Sequence, residues 1–374
     1  MLDLFNLLKD IFIDIPHSLR LKNEIQKLFI SHDIVLHPRT HQNYYIINKQ
    51  PLVINTTESI YNIKSFSKLI GKKRDALFLV SFWYTLMDDP YIIRKIFNAY
   101  YEHQKDYKKH RIIFLLNTLD EYEIFKMNNI PCEFIHQNSL IDENIFKPLS
   151  VEKKYNLIYN GRIEPFKRHY LLKNCSSIGL ISTYIHNMDK KKEAYLERVK
   201  ECIPDAELVN FRNNKKLTQF YLKNNIPLLS PTEVCKKINQ ARVGVILSAK
   251  EGACYASVEY LLSGLPVVST INYGGRNEFL DNRYCRIVPS RPKAVQNAVN
   301  ELIAENYDPN FIRQETIKKM IPHKNRLKNI LYKVINRNRK IYSNPDDLWK
   351  NVFRNKMIKY AQPFPQEFIK EINS

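Results

Sequence analysis

Glycine is scarce in this chain, and its placement limits the fold more than any other feature. Of 374 residues only 8 are Gly, and five of them fall between Gly244 and Gly275. Glycine costs backbone entropy, so a chain this sparing uses it where the backbone turns tightly or lets something approach closely. Gly252, Gly264, Gly274 and Gly275 share one stretch, residues 247–280, LSAKEGACYASVEYLLSGLPVVSTINYGGRNEFL. Two carboxylates, Glu251 and Glu259, frame a loop that runs into a helix. Gly264 reads as a left-handed cap on that helix, and Pro266 blocks its continuation. The apolar, largely β-branched run at 267–270 reads as a buried strand that empties into the Gly274-Gly275 turn. Loop, helix, strand and turn in this order form half of a crevice at the carboxyl ends of parallel strands, the kind that takes a nucleotide.

The rest of the chain alternates in the same α/β manner. In the first part, apolar runs at 34–36, 76–82 and 112–116 alternate with helical patterns such as 91–101. Residues 111–135 read as strand, turn, helix and strand, the helix starting near Asp120 with acids in its first turn. The polar, proline-terminated segment 135–150 reads as a connection. Beyond it, 155–161 is a strand, and Pro165 opens a helix over 166–174. Strands are expected at 177–185, 207–211 and 243–247, and helices at 190–202, 214–224 and 292–305. Ser230 and Glu233 have the spacing of a capping box. These patterns predict a first domain over 1–148, a second over 149–340 and a helical tail over 341–374 that packs back on the first.

Charge narrows the partners. Lys and Arg number 58 against 38 Asp and Glu, a net charge of +20. Such an excess suits nucleic acid, a membrane surface, a phosphorylated ligand or an acidic glycan, and does not choose among them. Residues 313–340 hold ten Lys or Arg and one acid. There Leu327, Ile330, Leu331, Val334 and Ile335 share one helical face. That face is expected to pack on the second domain; the sharper alternative is a membrane or polyanion surface. Six cysteines without a C-x-x-C pair or metal spacing suggest a reducing compartment. Acids interrupt the first twenty residues and no basic leader precedes them, so no signal peptide is expected. No apolar run approaches the ~20 residues of a membrane span. The expected location is the cytoplasm, peripherally at the inner face of the membrane. Neither G-x-G-x-x-G nor a Walker A loop occurs, which disfavours a dinucleotide dehydrogenase and a P-loop enzyme.

Four side chains can carry chemistry. Arg162 and Lys167 flank a strand-to-helix turn, where two cations and backbone N–H groups suit a diphosphate. A solvated basic turn is the plainer use. Of Glu251 and Glu259, one carboxylate can accept from ribose hydroxyls and the other from sugar hydroxyls. Glu259 can instead stabilise its helix dipole without any ligand. His37, His41 and His136 are candidates, although lone histidines more often serve structure.

Taken in order, Gly161-Arg162-x4-Lys167, Ser248-x-x-Glu251-Gly252, Glu259-x4-Gly264-x-Pro266-Val267-Val268 and Gly274-Gly275-x-x-Glu278 resemble the nucleotide-sugar half of GT-B glycosyltransferases. The likeness is greatest to the retaining family 4 group (glycosyl transferases group 1). The connector 138–148, with Asn138, Asp142 and Phe146-x-Pro148, resembles that family's interdomain segment. The match runs over residues 135–305. It implies a GT-B fold, two facing Rossmann-like domains with a cleft between them, the first on the acceptor side and the second binding the nucleotide-sugar. It implies Arg162 and Lys167 on the donor diphosphate, Glu259 on the ribose, and Glu251 as the candidate catalytic carboxylate near the donor sugar. Gly252, Ala253, Cys254 and Tyr255 would form the sugar and phosphate loop, and the base would lie near Leu229. Gly161, Gly274, Gly275 and His136 take supporting places.

The sequence departs from that family in two respects. The loop after Glu251 carries less glycine and no proline, so a different sugar pocket is expected. The first domain lacks a glycine-rich first loop, Gly71 being its one glycine.

The implied chemistry is coherent. Charge grows on the diphosphate as its bond to the sugar breaks, fixed cations and amides stabilise it, and closure excludes water. No D-x-D pair occurs, so neither metal nor cofactor is expected. The expected function is transfer of a sugar from a nucleotide-sugar to a surface-glycan or lipid-linked acceptor, as in polysaccharide or lipopolysaccharide biosynthesis, retaining and metal-independent. A sugar phosphorylase, epimerase or hydrolase on the same frame is one alternative. A basic nucleic-acid-binding protein is another, though no such module is visible and no nucleic acid is expected as partner.

Overall fold

A computed structural model of the chain describes residues 40–57, 60–87, 89–182, 190–219 and 226–374. The chain divides into two compact units, 1–41 and 42–374. Of the first, only Thr40 and the exposed His41 are described, with His41 Nδ1 3.1 Å from Thr40 Oγ1. His37 and the strand expected at 34–36 lie outside the described residues.

In chain order the elements begin with β1 (His41–Lys49), β2 (Leu52–Thr56), α1 (Ile60–Ile70), β3 (Ala76–Ser81), α2 (Pro90–Asp106), β4 (His110–Leu116), α3 (Leu119–Met127) and β5 (Cys132–Phe134). Then come β6 (Tyr155–Asn160), β7 (Ile178–Ile181), α4 (Lys190–Cys202), β8 (Glu207–Leu208), β9 (Lys215–Lys216), α5 (Pro231–Asn239) and β10 (Ala241–Ile246). The last are α6 (Tyr255–Leu262), β11 (Val267–Thr270), β12 (Cys285–Val288), α7 (Pro292–Glu305), α8 (Pro309–Ile335), α9 (Pro345–Val352), β13 (Lys359–Pro363) and α10 (Gln366–Asn373).

The strands form two sheets. The first runs β13-β1-β2-β3-β4-β5, with β2 to β5 parallel and β1 antiparallel to β2. The second runs β12-β11-β10-β6-β7-β8-β9 and is parallel except for β9. Counting its parallel strands along the chain, the order is 3-2-1-4-5-6, so the winding reverses between β6 and β10. That is the doubly wound Rossmann order. The fold class is α/β, with two Rossmann-like sheets.

Strand periodicity builds the core. In the first sheet Tyr44, Ile46, Phe78 and Val80 face one way, against Phe66, Phe364 and Phe368. Their neighbours Tyr45, Ile47, Leu77 and Leu79 face the other, against Leu327, Leu331, Val334 and Leu348. Successive side chains of a strand leave on opposite faces, and a sheet covered on both faces buries apolar residues at every position. The apolar stripe of α8 is therefore buried, but against the first sheet rather than the second. The last residues also supply an edge strand, β13, where helix alone was expected.

Several local expectations hold. Gly264 adopts φ +78 at the end of α6. Ser230 and Glu233 form a capping box at α5. Thr118 caps α3, its hydroxyl accepting from the Glu121 N–H at 3.1 Å. Others fail for long-range reasons. In place of one helix over 166–174 there are two 3₁₀ turns, Pro165–Lys167 and His169–Leu172. Arg168 separates them at φ 54. Its guanidinium donates to Leu247 O at 2.5 Å and to Thr270 Oγ1 at 2.7 Å, which holds the backbone left-handed and stops a helix from propagating. In place of a helix over 214–224, Lys215 and Lys216 pair with Leu208 and Glu207, and a 3₁₀ turn follows at Leu217–Gln219. Residues 220–225 lie outside the described set. Of the strand expected at 177–185, β7 is present and residues 183–185 lie outside the described set; the strand expected at 207–211 shortens to β8.

Candidate active site

The reversal of winding fixes where a ligand can sit. Where strand order reverses, adjacent loops leave in opposite directions and open a crevice outside the carboxyl ends of the strands. Here the two strands are β6 and β10. Asn160 ends β6, followed by Gly161 and Arg162; Ile246 ends β10, followed by Ser248 and Glu251. Residues far apart in sequence are thereby set side by side.

Lys167 Nζ is ion-paired with Glu251 Oε1, both side chains being nearly buried. The other Glu251 oxygen accepts from Ser248 Oγ at 2.9 Å and lies 4.0 Å from the Arg276 guanidinium. Arg276 is wholly buried and donates to Ser248 O at 2.5 Å, Ser269 Oγ at 2.9 Å and Thr270 O at 2.5 Å. Burial pushes its pKa down, and the Glu251 charge works against that shift. Arg162, with a third of its side chain exposed, stands 3.7 Å from Glu164. Arg162 and Lys167 approach the same Phe166 ring, at 5.7 and 5.1 Å from its centroid. Glu259, on α6, accepts from Asn160 Nδ2 at 3.0 Å and pairs with Lys356 Nζ at 2.9 Å. Arg162, Lys167, Glu251 and Glu259 thus share one neighbourhood, linked through Asn160 and Gly161.

The glycines serve a different purpose. An added Cβ would lie 2.2 Å from Tyr84 O at Gly252, and at Gly275 it would lie 2.5 Å from Asn117 O and 2.7 Å from Gly252 O. Gly274, at φ +108, would place a Cβ 2.4 Å from Glu251 O. Backbone meets backbone here, along the seam where the carboxyl ends of the two sheets face each other. Gly274 and Gly275 therefore line the seam and not the cation pair. Gly161 has a milder constraint, 3.1 Å from the Tyr159 ring. Beside the seam lies a cavity of about 440 Å³ lined by Met87, Thr118, Asp120, Lys250, Tyr273 and Gly274.

The loop ahead of α6 is tied to the first sheet. The Ala253 N–H donates to Trp83 O at 3.3 Å, and Asn138 Nδ2 donates to Cys254 O at 2.9 Å. Burial, with the Glu251 charge, pushes the Cys254 thiol up to about 12, so it is no nucleophile at neutral pH. Tyr255 opens α6, its ring 4.4 Å from the Lys356 ammonium. Leu229 is half-buried against the second core, just before the Ser230 cap.

His136 is a clasp. Its Nδ1 accepts the Asn138 N–H at 3.0 Å, which leaves the proton on Nε2 to donate to Gly275 O at 2.8 Å. Both nitrogens are used and the ring is fully buried, so no ligand can reach it. Sequence reading missed Arg276 and Lys356. An arginine directly after a Gly-Gly turn was a usable signal for the first; nothing local pointed to the second.

Burial pushes His136 and His169 down to about 3, and His103 and His323 to about 4; His110 is lowered too. Each stays neutral when folded and charges when unfolded, so each adds stability above the unfolded pKa of 6.5 and loses it as pH falls toward the folded value. Glu121 and Glu278, raised by burial, act oppositely. Five groups outweigh two, and each histidine held near 3 or 4 contributes at most about 1.4 kcal/mol per pH unit below 6.5. The melting temperature is expected to be flat near pH 7–8 and to fall steeply between pH 6.5 and 5. A melt series with no fall in that window would contradict the buried neutral histidines.

Among the described residues, no group of three or more His, Cys, Asp or Glu is placed to hold a metal, and no helix is long and apolar enough to cross a membrane.

No protein-family model and no curated protein matches the chain. Solved structures do. Sucrose-phosphate synthase from Thermosynechococcus elongatus is 11% identical over 73% of this chain and 71% of its own, with a TM-score of 0.49. HepE of Anabaena, in complex with UDP and glucose, is 14% identical over 69% of this chain and 72% of its own, at 0.47. A glycosyltransferase from Rickettsia africae is 15% identical over 75% and 82%, at 0.46. At such identities the likeness is one of chain path, and no residue role passes across it. From its own two sheets and their strand order, the chain is an α/β protein of two Rossmann-like layers, similar in path to these solved structures.

Proposed function

We propose that the chain is a glycosyltransferase that moves a sugar from a nucleotide-sugar to a glycan or lipid-linked acceptor, with retention and without a metal. The observation that carries this reading is the cluster at the reversal of the second sheet, where Lys167, Arg162, Glu251 and Glu259 converge outside β6 and β10.

The donor lies along the second sheet. Arg162 and Lys167 hold its diphosphate, Glu259 accepts from its ribose hydroxyls, and Glu251 stands beside its sugar. The base lies toward Leu229. As the bond between the anomeric carbon and the phosphate oxygen breaks, negative charge accumulates on the diphosphate. The cations already in place stabilise it without reorganising. An acceptor hydroxyl bonds to the anomeric carbon and passes its proton to the departing phosphate oxygen, and the nucleoside diphosphate leaves. The acceptor occupies the 440 Å³ cavity, where Thr118, Asp120 and Lys250 meet hydroxyls and the exposed Tyr273 offers a ring face. Residues 1–148 form the acceptor side, 149–340 the donor domain and 341–374 the tail that joins them. The +20 charge favours residence at an anionic membrane surface.

A labelled-donor assay tests this. The expected result is label carried onto a glycan or lipid-linked acceptor, with the anomeric configuration of the donor. Label released as free sugar, as sugar phosphate or as an epimerised donor would overturn the transferase reading in favour of a hydrolase, phosphorylase or epimerase.

A further inference from the structure

Lys356 lies far along the chain from the second sheet, in the short turn Asn355–Met357 between α9 and β13. Its backbone is left-handed at φ 66, and so is that of Met357 at φ 49. Non-glycine residues there cost roughly 1 kcal/mol or more and persist only where the surroundings hold them. The holds are visible. Asn55 Nδ2 donates to Met357 O at 2.7 Å, the Asp142 N–H donates to Asn355 Oδ1 at 3.0 Å, and the Met357 side chain is wholly buried in the core of the first sheet.

The turn so fixed brings the Lys356 ammonium to α6, 2.9 Å from Glu259 Oε1 and 4.4 Å from the centre of the Tyr255 ring. Glu259 is only 3% exposed, so its charge needs a partner. Burial, the largest single influence, pushes the Lys356 ammonium down, but the charge and hydrogen bond of Glu259 together with Tyr360 and Cys254 outweigh it and leave the pKa raised.

A carboxylate offers about four lone-pair sites. Lys356 takes one on Oε1 and Asn160 one on Oε2, which leaves one on each oxygen, the number that a ribose diol donates to. We propose that Lys356 is a positioning residue for the donor: it orients and charge-balances Glu259 for the ribose hydroxyls, so that the C-terminal segment completes the nucleotide pocket of the second sheet. This rests on the donor reading given above.

The test is calorimetric titration with UDP and with 2′,3′-dideoxy-UDP. Wild type is expected to favour UDP by tenfold or more. Lys356→Met is expected to weaken UDP about tenfold while leaving the dideoxy compound within twofold, and Lys356→Arg to recover most of the loss. Adding Lys356→Met to Glu259→Gln is expected to cost nothing further. In turnover the Lys356→Met change raises the donor KM and spares kcat. If Lys356→Met binds UDP like wild type, or weakens both compounds equally, Lys356 has no part in reading the ribose and the inference falls alone. Wild type that binds UDP but does not discriminate against the dideoxy compound overturns the ribose role of Glu259. Where GDP or ADP binds in place of UDP, that nucleotide and its dideoxy form take its part; wild type that binds none of the three overturns the donor reading and this inference together. Lys356→Gln carries the same comparison if Lys356→Met fails to fold.

Discussion

Replacing Lys167 by alanine is expected to lower sugar transfer by about 10²- to 10³-fold while the protein stays folded. The size is that found when one fixed donor is removed from a site where charge develops in the transition state. The ammonium is nearly buried, ion-paired with Glu251 and backed by the Phe166 ring, so no solvent cation can take its place with the same geometry. Glu251 would keep Ser248 at 2.9 Å and Arg276 at 4.0 Å, so its charge is not left bare and the stability loss is held to about 1–3 kcal/mol. Initial rates at saturating donor, with a melt of the same sample, check both halves. A variant that folds and turns over within threefold of wild type would remove Lys167 from the donor site.

Gly252→Ala is expected to be the most damaging single-methyl change in the chain. The new Cβ would sit 2.2 Å from Tyr84 O, 2.4 Å from Tyr84 C and 2.9 Å from Thr85 N. All three are backbone atoms of the loop that follows β3, and none can swing aside as a side chain would. Overpacking of this kind typically costs about 1–3 kcal/mol and sometimes more. The loop between Glu251 and α6 would have to move by a large fraction of an ångström. A displacement near 1 Å costs about 10²-fold in rate when it misaligns reacting groups. Gly71→Ala is the control. Its Cβ meets nothing within 4 Å, so only left-handed strain at φ +83 is added, about 1–2 kcal/mol, with transfer unchanged. Equal melting losses for the two variants, with no difference in rate, would contradict a closed seam at Gly252.

The parts of the molecule readable from sequence were those written locally. The run from Glu251 through α6 and β11 to Gly275 announced itself because caps, breakers and β-branched residues act on near neighbours. Arg162, Lys167, Glu251 and Glu259 could be paired on paper because a Rossmann order brings the loops after β6 and β10 together whatever lies between them. The glycines were found but their use was not. Gly252 and Gly275 are required by Tyr84 and Asn117, and no residue near them in sequence says so.

Other features were invisible for the same reason. Arg168 breaks a helix because Leu247 and Thr270 capture its guanidinium. Strand β13, Lys359–Pro363, lacks apolar alternation and carries a proline, and it exists because β1 offers it an edge. Strands β1 and β2 were overlooked although HQNYYIINK and LVINT are rich in β-branched and aromatic residues, which was a usable signal. Lys356 reaches Glu259 by folding alone.

Melting the protein in the presence of UDP-, GDP-, ADP- and CMP-sugars tests the central claim most directly. A ligand held only by the folded state, at a hundred times its dissociation constant, adds about 2.7 kcal/mol. One class of nucleotide-sugar is therefore expected to raise the wild-type melting temperature by several degrees, and to raise it far less in Lys167→Ala and Glu259→Gln. A panel in which no compound shifts the wild type, or in which the shift survives both substitutions undiminished, would show that the cluster outside β6 and β10 is not a nucleotide-sugar site.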